Sequence, residues 1–266
     1  MRTLSSSVFS SAFSSLVGPL APRGPLGPLG RSLVGLACAG LAACSTPADS
    51  DAAADLAGPV PDLASPDLAS ARCELPPELK LVASVSSGAA TFGQLPASPD
   101  VKTAEVDATA GGSMAASKNP FVYLDLLNAK KVDLTDVQAQ DSGDWDIALK
   151  RWQIKVNSGD SGPGGVTVAL VDGKDLAEVT AAPTTRFSAD HYFDGKCQVL
   201  TDAIGGLGTQ LSEWYDYESG TSRITPLKRV YVLKRRDGKG HVKLQITGYY
   251  KGMTSANYTL QWSFLP

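Results

Sequence analysis

Histidine is nearly missing from this chain: 266 residues contain only His191 and His241, and no CxxC or HxxxH spacing occurs. Structural and catalytic zinc sites need such residues clustered at ligand spacing, so no metal site is expected. Charge of one sign is also missing, since 24 Lys and Arg stand against 27 Asp and Glu. That balance gives no field for a nucleic acid or other polyanion. Long apolar runs are absent too. The run Leu33–Ala43 falls short of the roughly 20 residues a transmembrane helix requires. A convincing helical stripe is the last absence, with only a weak one near Asp172–Thr180.

The chain has secretion features at its N-terminus. Residues 1–43 carry Arg2, Arg23 and Arg31 with no acidic residue, and the apolar run leads to Leu41-Ala42-Ala43-Cys44, a lipobox. Residues 1–43 are read as a lipoprotein signal peptide, with Cys44 acylated as the first mature residue. Two or three acyl chains hold a protein on a membrane where one would not. Ser45 after the cysteine favours the outer membrane of a Gram-negative cell, facing the periplasm or the outside, by likeness to lipoprotein sorting rules.

Residues 44–72 read as a disordered Ala/Asp/Pro tether, with PDLA at Pro61 and Pro66 and DLA at Asp55. Such a segment buries too little apolar surface to offset the entropy of ordering it. Residues 73–266 are one domain's worth of chain. Of four cysteines, Cys38 leaves with the leader and Cys44 is acylated, so Cys73 and Cys197 are expected to pair in an oxidising compartment.

Within the domain, short runs of period-two alternation lie between Gly, Asp, Asn and Ser clusters, which predicts an all-β, antiparallel fold. Strands are expected within 80–88, 104–111, 121–128, 145–157, 165–173, 197–202, 211–219, 229–250 and 258–266. Asp237-Gly238 supplies a hairpin turn. The alternation around it suggests that Val230 and Val232 share a buried face with Val242, Leu244 and Ile246. Tyr258, Leu260, Trp262 and Phe264 should share a face of a strand that closes the sheet.

Chemical motifs are few. Gly159-Asp160-Ser161-Gly162-Pro163 resembles a trypsin-like nucleophile loop, but both histidines lie downstream of Ser161, the wrong order for that fold. Asp141, Asp144 and Asp146 lack the further ligands of a calcium loop and are read as a turn. Gly205-Gly206-Leu207-Gly208 has no following lysine or helix and makes a weak phosphate cradle. The expectation is a protein that is not an enzyme. Trp214, Tyr215 and Tyr217 form an aromatic run that either lines a pocket for a flat apolar ligand or packs the sheet.

The segments FVYLDL, DWDIALKRWQIKVNSGDSGPGG and RVYVLKRRDGKGHVKLQITGYY, with the terminal YTLQW, resemble the HmuY family of bacterial surface lipoproteins. The resemblance spans about Val106–Trp262. It implies an open-hand β fold that holds haem between loops at one end, through two axial histidines or a pair of methionines. It further implies iron acquisition and an outer-membrane receptor as a possible partner. The two axial histidine positions fall near Lys196 and Ser219, neither a usual haem ligand. His191 could substitute, and Met114 and Met253 are the methionines of the mature chain. The ligand-binding candidates are thus His191, Trp214, Tyr215 and Tyr217, with His241 read as structural. The alternative is an interaction or structural lipoprotein that keeps the scaffold without a haem site.

Overall fold

Alternating apolar residues can be buried only by pairing strands and stacking the resulting sheets, and this chain does both. The computed structural model describes Cys73 and residues 80–265. The signal peptide, Cys44 and the tether lie outside the described residues. Among the described residues no helix is long and apolar enough to cross a membrane.

A six-stranded antiparallel sheet runs in the order β1-β2-β12-β11-β10-β7, from β1 (Ala90–Leu95), β2 (Ser98–Asp107), β7 (Val168–Asp172), β10 (Arg229–Lys234), β11 (His241–Lys251) and β12 (Thr254–Leu265). A second sheet, β4-β3-β5-β6, is made by β3 (Val122–Asp125), β4 (Lys130–Val132), β5 (Ile147–Lys150) and β6 (Gln153–Val156). A small hairpin pairs β8 (Tyr215–Glu218) with β9 (Arg223–Pro226). The all-β, antiparallel expectation holds.

The two large sheets share a core. Ala104, Val106, Leu244, Tyr258, Leu260 and Trp262 from the first meet Val122, Leu124, Ile147, Leu149 and Ile154 from the second. Trp262 Nε1 donates to Leu126 O at 3.0 Å, which pins the sheets together. The far face of the second sheet buries Phe121, Tyr123, Trp145 and Ala148. In β3, therefore, alternate residues serve two different cores, as the strand's period of two requires.

Several local expectations are corrected. In the β10–β11 hairpin Tyr231 faces Leu244 and Leu233 faces Val242. Tyr231 and Leu233, not Val230 and Val232, share the main core with Val242, Leu244 and Ile246. Val230 and Val232 instead pack with Leu176, Val179 and Leu265 on the opposite face. Both faces of β10 are buried, so polarity offers no cue to its register. β12 does not close the sheet but lies in its interior, paired with both β2 and β11. Its alternation ends at Trp262, because Phe264 is exposed between Lys102 and Arg235.

Residues 80–88 make a single bridge, Val85 to Thr135, and 197–202 contributes only bridges to Phe193 and Leu207. The weak helical stripe shrinks to a 3-10 turn at Leu176–Glu178, while a short α1 (Asp136–Ala139) forms behind a Thr135–Gln138 capping box.

Cys73 and Cys197 form a disulfide with Cα atoms 5.3 Å apart, closing a span of 124 residues. The chain-entropy account assigns a loop of that length about 4–5 kcal/mol.

Candidate functional site

The DWDIALKRWQIKVNSGDSGPGG segment builds the far face of the second sheet. Asn157 is fully buried, and its Nδ2 donates to Ser142 O (2.9 Å) and Trp145 O (2.8 Å). Gly164 N donates back to its Oδ1 at 2.8 Å. A Cβ on Gly162 would come within 2.4 Å of that Oδ1 and 3.0 Å of the Trp145 ring, so only glycine fits. Gly159 takes a left-handed φ of 55°, and a Cβ there would meet Asp190 O at 2.0 Å.

Ser161 of the protease-like loop is fully buried; its Oγ bonds Asp190 Oδ2 at 2.7 Å and the Tyr192 hydroxyl at 2.6 Å. Its role is to cross-link the turn, and no substrate can reach it.

Buried charge in this region is held in place by neutral donors and arginine. Asp136 accepts from Phe121 N (3.0 Å) and the Tyr123 hydroxyl (2.8 Å). Asp146, the third acid of the calcium-like run, is buried, accepts from Leu126 N (2.7 Å) and pairs with Arg236 at 3.3 Å. Burial pushes its carboxyl up to about 6 despite that arginine. Asp141 and Asp144 stay exposed. Among the described residues no three His, Cys, Asp or Glu side chains gather as a metal site.

Lys155 is 3% exposed, with its ammonium 4.5, 5.1 and 5.4 Å from the ring centres of Phe121, Tyr123 and Trp145. Burial lowers its pKa to about 8. Cation–π attraction from three rings offsets part of the lost hydration.

The opposite end of the molecule is assembled from loops. Arg151 and Trp152 turn β5 into β6. Arg151 N donates to Ala108 O at 2.7 Å, and Arg151 O accepts from the Tyr258 hydroxyl at 2.8 Å. Ala108 N in turn donates to Ala256 O at 2.8 Å, so the chain leaving β2 meets the start of β12. Asp202 Oδ2 accepts from Trp152 Nε1 (3.1 Å) and the Tyr215 hydroxyl (3.0 Å), while its Oδ1 accepts from Ile204 N and Gly206 N. The glycines of 205–208 thus wrap a carboxylate of their own chain. The β8–β9 hairpin leans on β11, where Ile224 N donates to the Tyr250 hydroxyl at 3.0 Å and the Arg223 guanidinium lies 5.5 Å from the Tyr250 ring centre.

The segments 108–119, 151–152, 200–208, 215–226 and 251–254 therefore converge. Their backing is an aromatic stack in which Trp214 lies 5.0 Å from Tyr215 and 5.2 Å from both Tyr249 and Tyr258.

The expected ligand residues divide between the two ends. Trp214 (1% exposed) and Tyr215 (8%) belong to the core, with Trp214 Nε1 donating to Trp152 O at 2.9 Å. Tyr217 is half-buried against that core. These three come together at the loop end, but His191 does not join them. It is exposed beside Asp190, whose Oδ2 accepts from Val156 N at 2.8 Å, and Val156 ends β6 roughly 10 Å of strand away from the Arg151–Trp152 turn. Lys196 and Ser219 are exposed in loops. His241 lies beside Phe187, ring centres 5.2 Å apart, in the strand register opposite Lys234 and Leu265.

Met114 (94% exposed) and Met253 (100%) both project from loop-end segments: Met253 at the β11–β12 turn, Met114 in the loop leaving β2. Composition alone points to them as rare residues, while their shared end follows from strand pairing. A groove of about 160 Å³, lined by Thr91, Glu105, Asp107, Tyr250, Lys251 and Asn257, opens beside this end. It is smaller than the roughly 300–1,000 Å³ of usual ligand pockets. A tetrapyrrole would have to lie between the loops. The residues fit such a guest in kind, because thioethers ligate haem iron and aromatic faces stack on flat rings.

The sequence model for the HmuY protein family matches residues 117–264. Among solved structures, a candidate lipoprotein of Bacteroides fragilis is 20% identical, with a TM-score of 0.44 over 64% of this chain and 92% of that one. A candidate HmuY-like haem-binding protein of Bacteroides vulgatus is 18% identical, with a TM-score of 0.45 over 65% and 96%. The ligand-free HmuY analogue of Tannerella forsythia is 16% identical, with a TM-score of 0.44 over 68% and 98%. No curated protein matches the chain.

Proposed function

The chain belongs to the HmuY family, and from that premise we propose that it is an exported, lipid-anchored protein that holds haem or a related tetrapyrrole at its loop end and catalyses nothing. The observation that carries this reading is the convergence of five loop segments over an aromatic stack, with two unpacked methionines projecting from them.

On this reading Met114 and Met253 are the thioethers that would hold the iron of the guest, in place of His191. Tyr217 offers a ring to the ligand, and Trp214 and Tyr215 stiffen the wall behind it. Bound haem would bring its iron and a large apolar face, and the protein's part is to hold and shield it. Cys44 anchors the mature chain to the outer membrane, and residues 45–72 give the domain reach toward a receptor that takes the ligand over.

Haem titration of the purified mature protein tests the reading. A sharpened Soret band that is lost in Met253→Ala and retained in His191→Ala supports it. A band lost in His191→Ala and retained in the methionine variants moves the site to the other end. The alternative, an interaction lipoprotein without a tetrapyrrole site, is favoured by the small groove and by the two axial positions of the histidine version falling near Lys196 and Ser219. It predicts a featureless spectrum at micromolar haem.

A further inference from the structure

Arg151 lacks the ion pair that three other arginines of the domain make. Arg229 holds Asp172, Arg235 holds Asp237, and Arg236 bridges Asp125 and Asp146. Among the described residues Arg151 makes no ion pair, and its Nε, like that of Arg235, finds no hydrogen-bond acceptor. The Nε is buried without a partner while the side chain as a whole is half-exposed. Water has been stripped from part of a permanent cation and no anion has replaced it.

The backbone holds the residue firmly. Arg151 sits at a φ of 55°, a left-handed conformation that side chains other than Gly and Asn rarely adopt. Hydrogen bonds on either side, to Ala108 O and from the Tyr258 hydroxyl, fix it there. Such outliers persist where the surroundings over-determine them, and they cluster at functional sites. The surroundings here are the Tyr249–Tyr258 pair and the Trp152 turn, in the middle of the converging loops.

We infer that Arg151 is the carboxylate-binding residue of the loop end, and that the ligand is a flat apolar molecule carrying at least one carboxylate at its rim. A planar guanidinium can take a carboxylate through two parallel N–H···O bonds, which fixes the ligand's orientation as well as holding it. The inference rests on the reading of the loop end as a tetrapyrrole site and adds which edge of the guest enters first.

Three ligands and two variants separate the two claims: haem, haem dimethyl ester and protoporphyrin IX without iron, tested on the wild type and on the Arg151→Gln and Arg151→Lys variants of the mature protein, with folding checked by circular dichroism. Loss of a charge-assisted pair predicts roughly 10- to 100-fold weaker haem and protoporphyrin binding in Arg151→Gln, with partial recovery in Arg151→Lys. Binding of the dimethyl ester should be weak in the wild type and unchanged by either variant. If the ester binds the wild type as tightly as haem does, or if Arg151→Gln weakens both equally, the carboxylate assignment is overturned while the loop-end site survives. If the wild type binds neither haem nor protoporphyrin, the loop-end reading itself falls, and this inference with it.

Discussion

The far face of the second sheet and the loop end differ in which cation each leaves without an anion: Lys155 inside an aromatic cage on the first, Arg151 among loops at the second. Around Trp145, Asn157 donates through both amide protons and accepts from Gly164 N, Asp136 and Asp190 are held by backbone and hydroxyl donors, and Asp146 meets Arg236. At the loop end the Arg151 Nε has no acceptor, and Met114 and Met253 are almost entirely exposed. A region whose carboxylates and amides are met from within, and whose buried ammonium is enclosed by rings, leaves little for a ligand to do. A region with unmet donors and unpacked sulfurs gives up stability and is free to bind. On the proposed reading the tryptophan-rich motif belongs to the scaffold and the function to the opposite end.

The largest expected effect lies in the scaffold. Trp145→Ala removes a fully buried ring packed 5.0 Å from Tyr123 and should cost about 3–5 kcal/mol in denaturant unfolding. An unchanged midpoint would mean that this face is not the rigid half of the comparison. Next comes the disulfide: a Cys73→Ser, Cys197→Ser double variant should lose roughly 2–5 kcal/mol. A loss near zero would show that the reduced chain already holds its N-terminal segment in place.

Lys155 gives a pH signature of intermediate size. Its folded pKa of about 8 lies below the unfolded value of 10.5, so between them the unfolded chain binds more protons and stability rises with pH. The penalty is present below about pH 8 and relieved above it. Unfolding free energy should therefore climb by roughly 1–2 kcal/mol between about pH 7.5 and 9.5, before unfolded tyrosines ionise near 10. Lys155→Met should flatten that slope. A wild-type slope of opposite sign would mean that the aromatic cage holds the ammonium better than burial opposes it.

The smallest effects on stability belong to the loop end. Met114→Ala and Met253→Ala should each fall within about 0.5 kcal/mol of the wild type, and losses above that would place these side chains in the packing.

The scaffold was far more legible in the sequence than the site. Alternation revealed the sheet class and most strands, and counting cysteines picked Cys73 and Cys197. The register of β10 was hidden because Val230 through Leu233 are buried on both faces, so no polar residue marks a side. The interior place of β12 was hidden as well, since its pairing with β2 joins residues about 150 apart in sequence.

At the site, the aromatic run 214–217 stood out, but not that Trp214 faces inward to the Trp152 carbonyl. Arg151 sits inside the recognised motif, yet its isolation depends on a left-handed turn and on Tyr249 and Tyr258, about 100 residues downstream. Met114 and Met253 could be noticed only for their rarity. His191 was prominent as one of two histidines, and it lies near the Val156 end of β6, away from the Arg151–Trp152 turn.

The most direct test is a visible-light titration of the mature protein with haem, run in parallel on the wild type and on Met114→Ala, Met253→Ala. The account predicts a sharpened Soret band in the wild type and its loss in the double variant at an unchanged melting temperature. A band that survives in the double variant, or no band in the wild type, would contradict it.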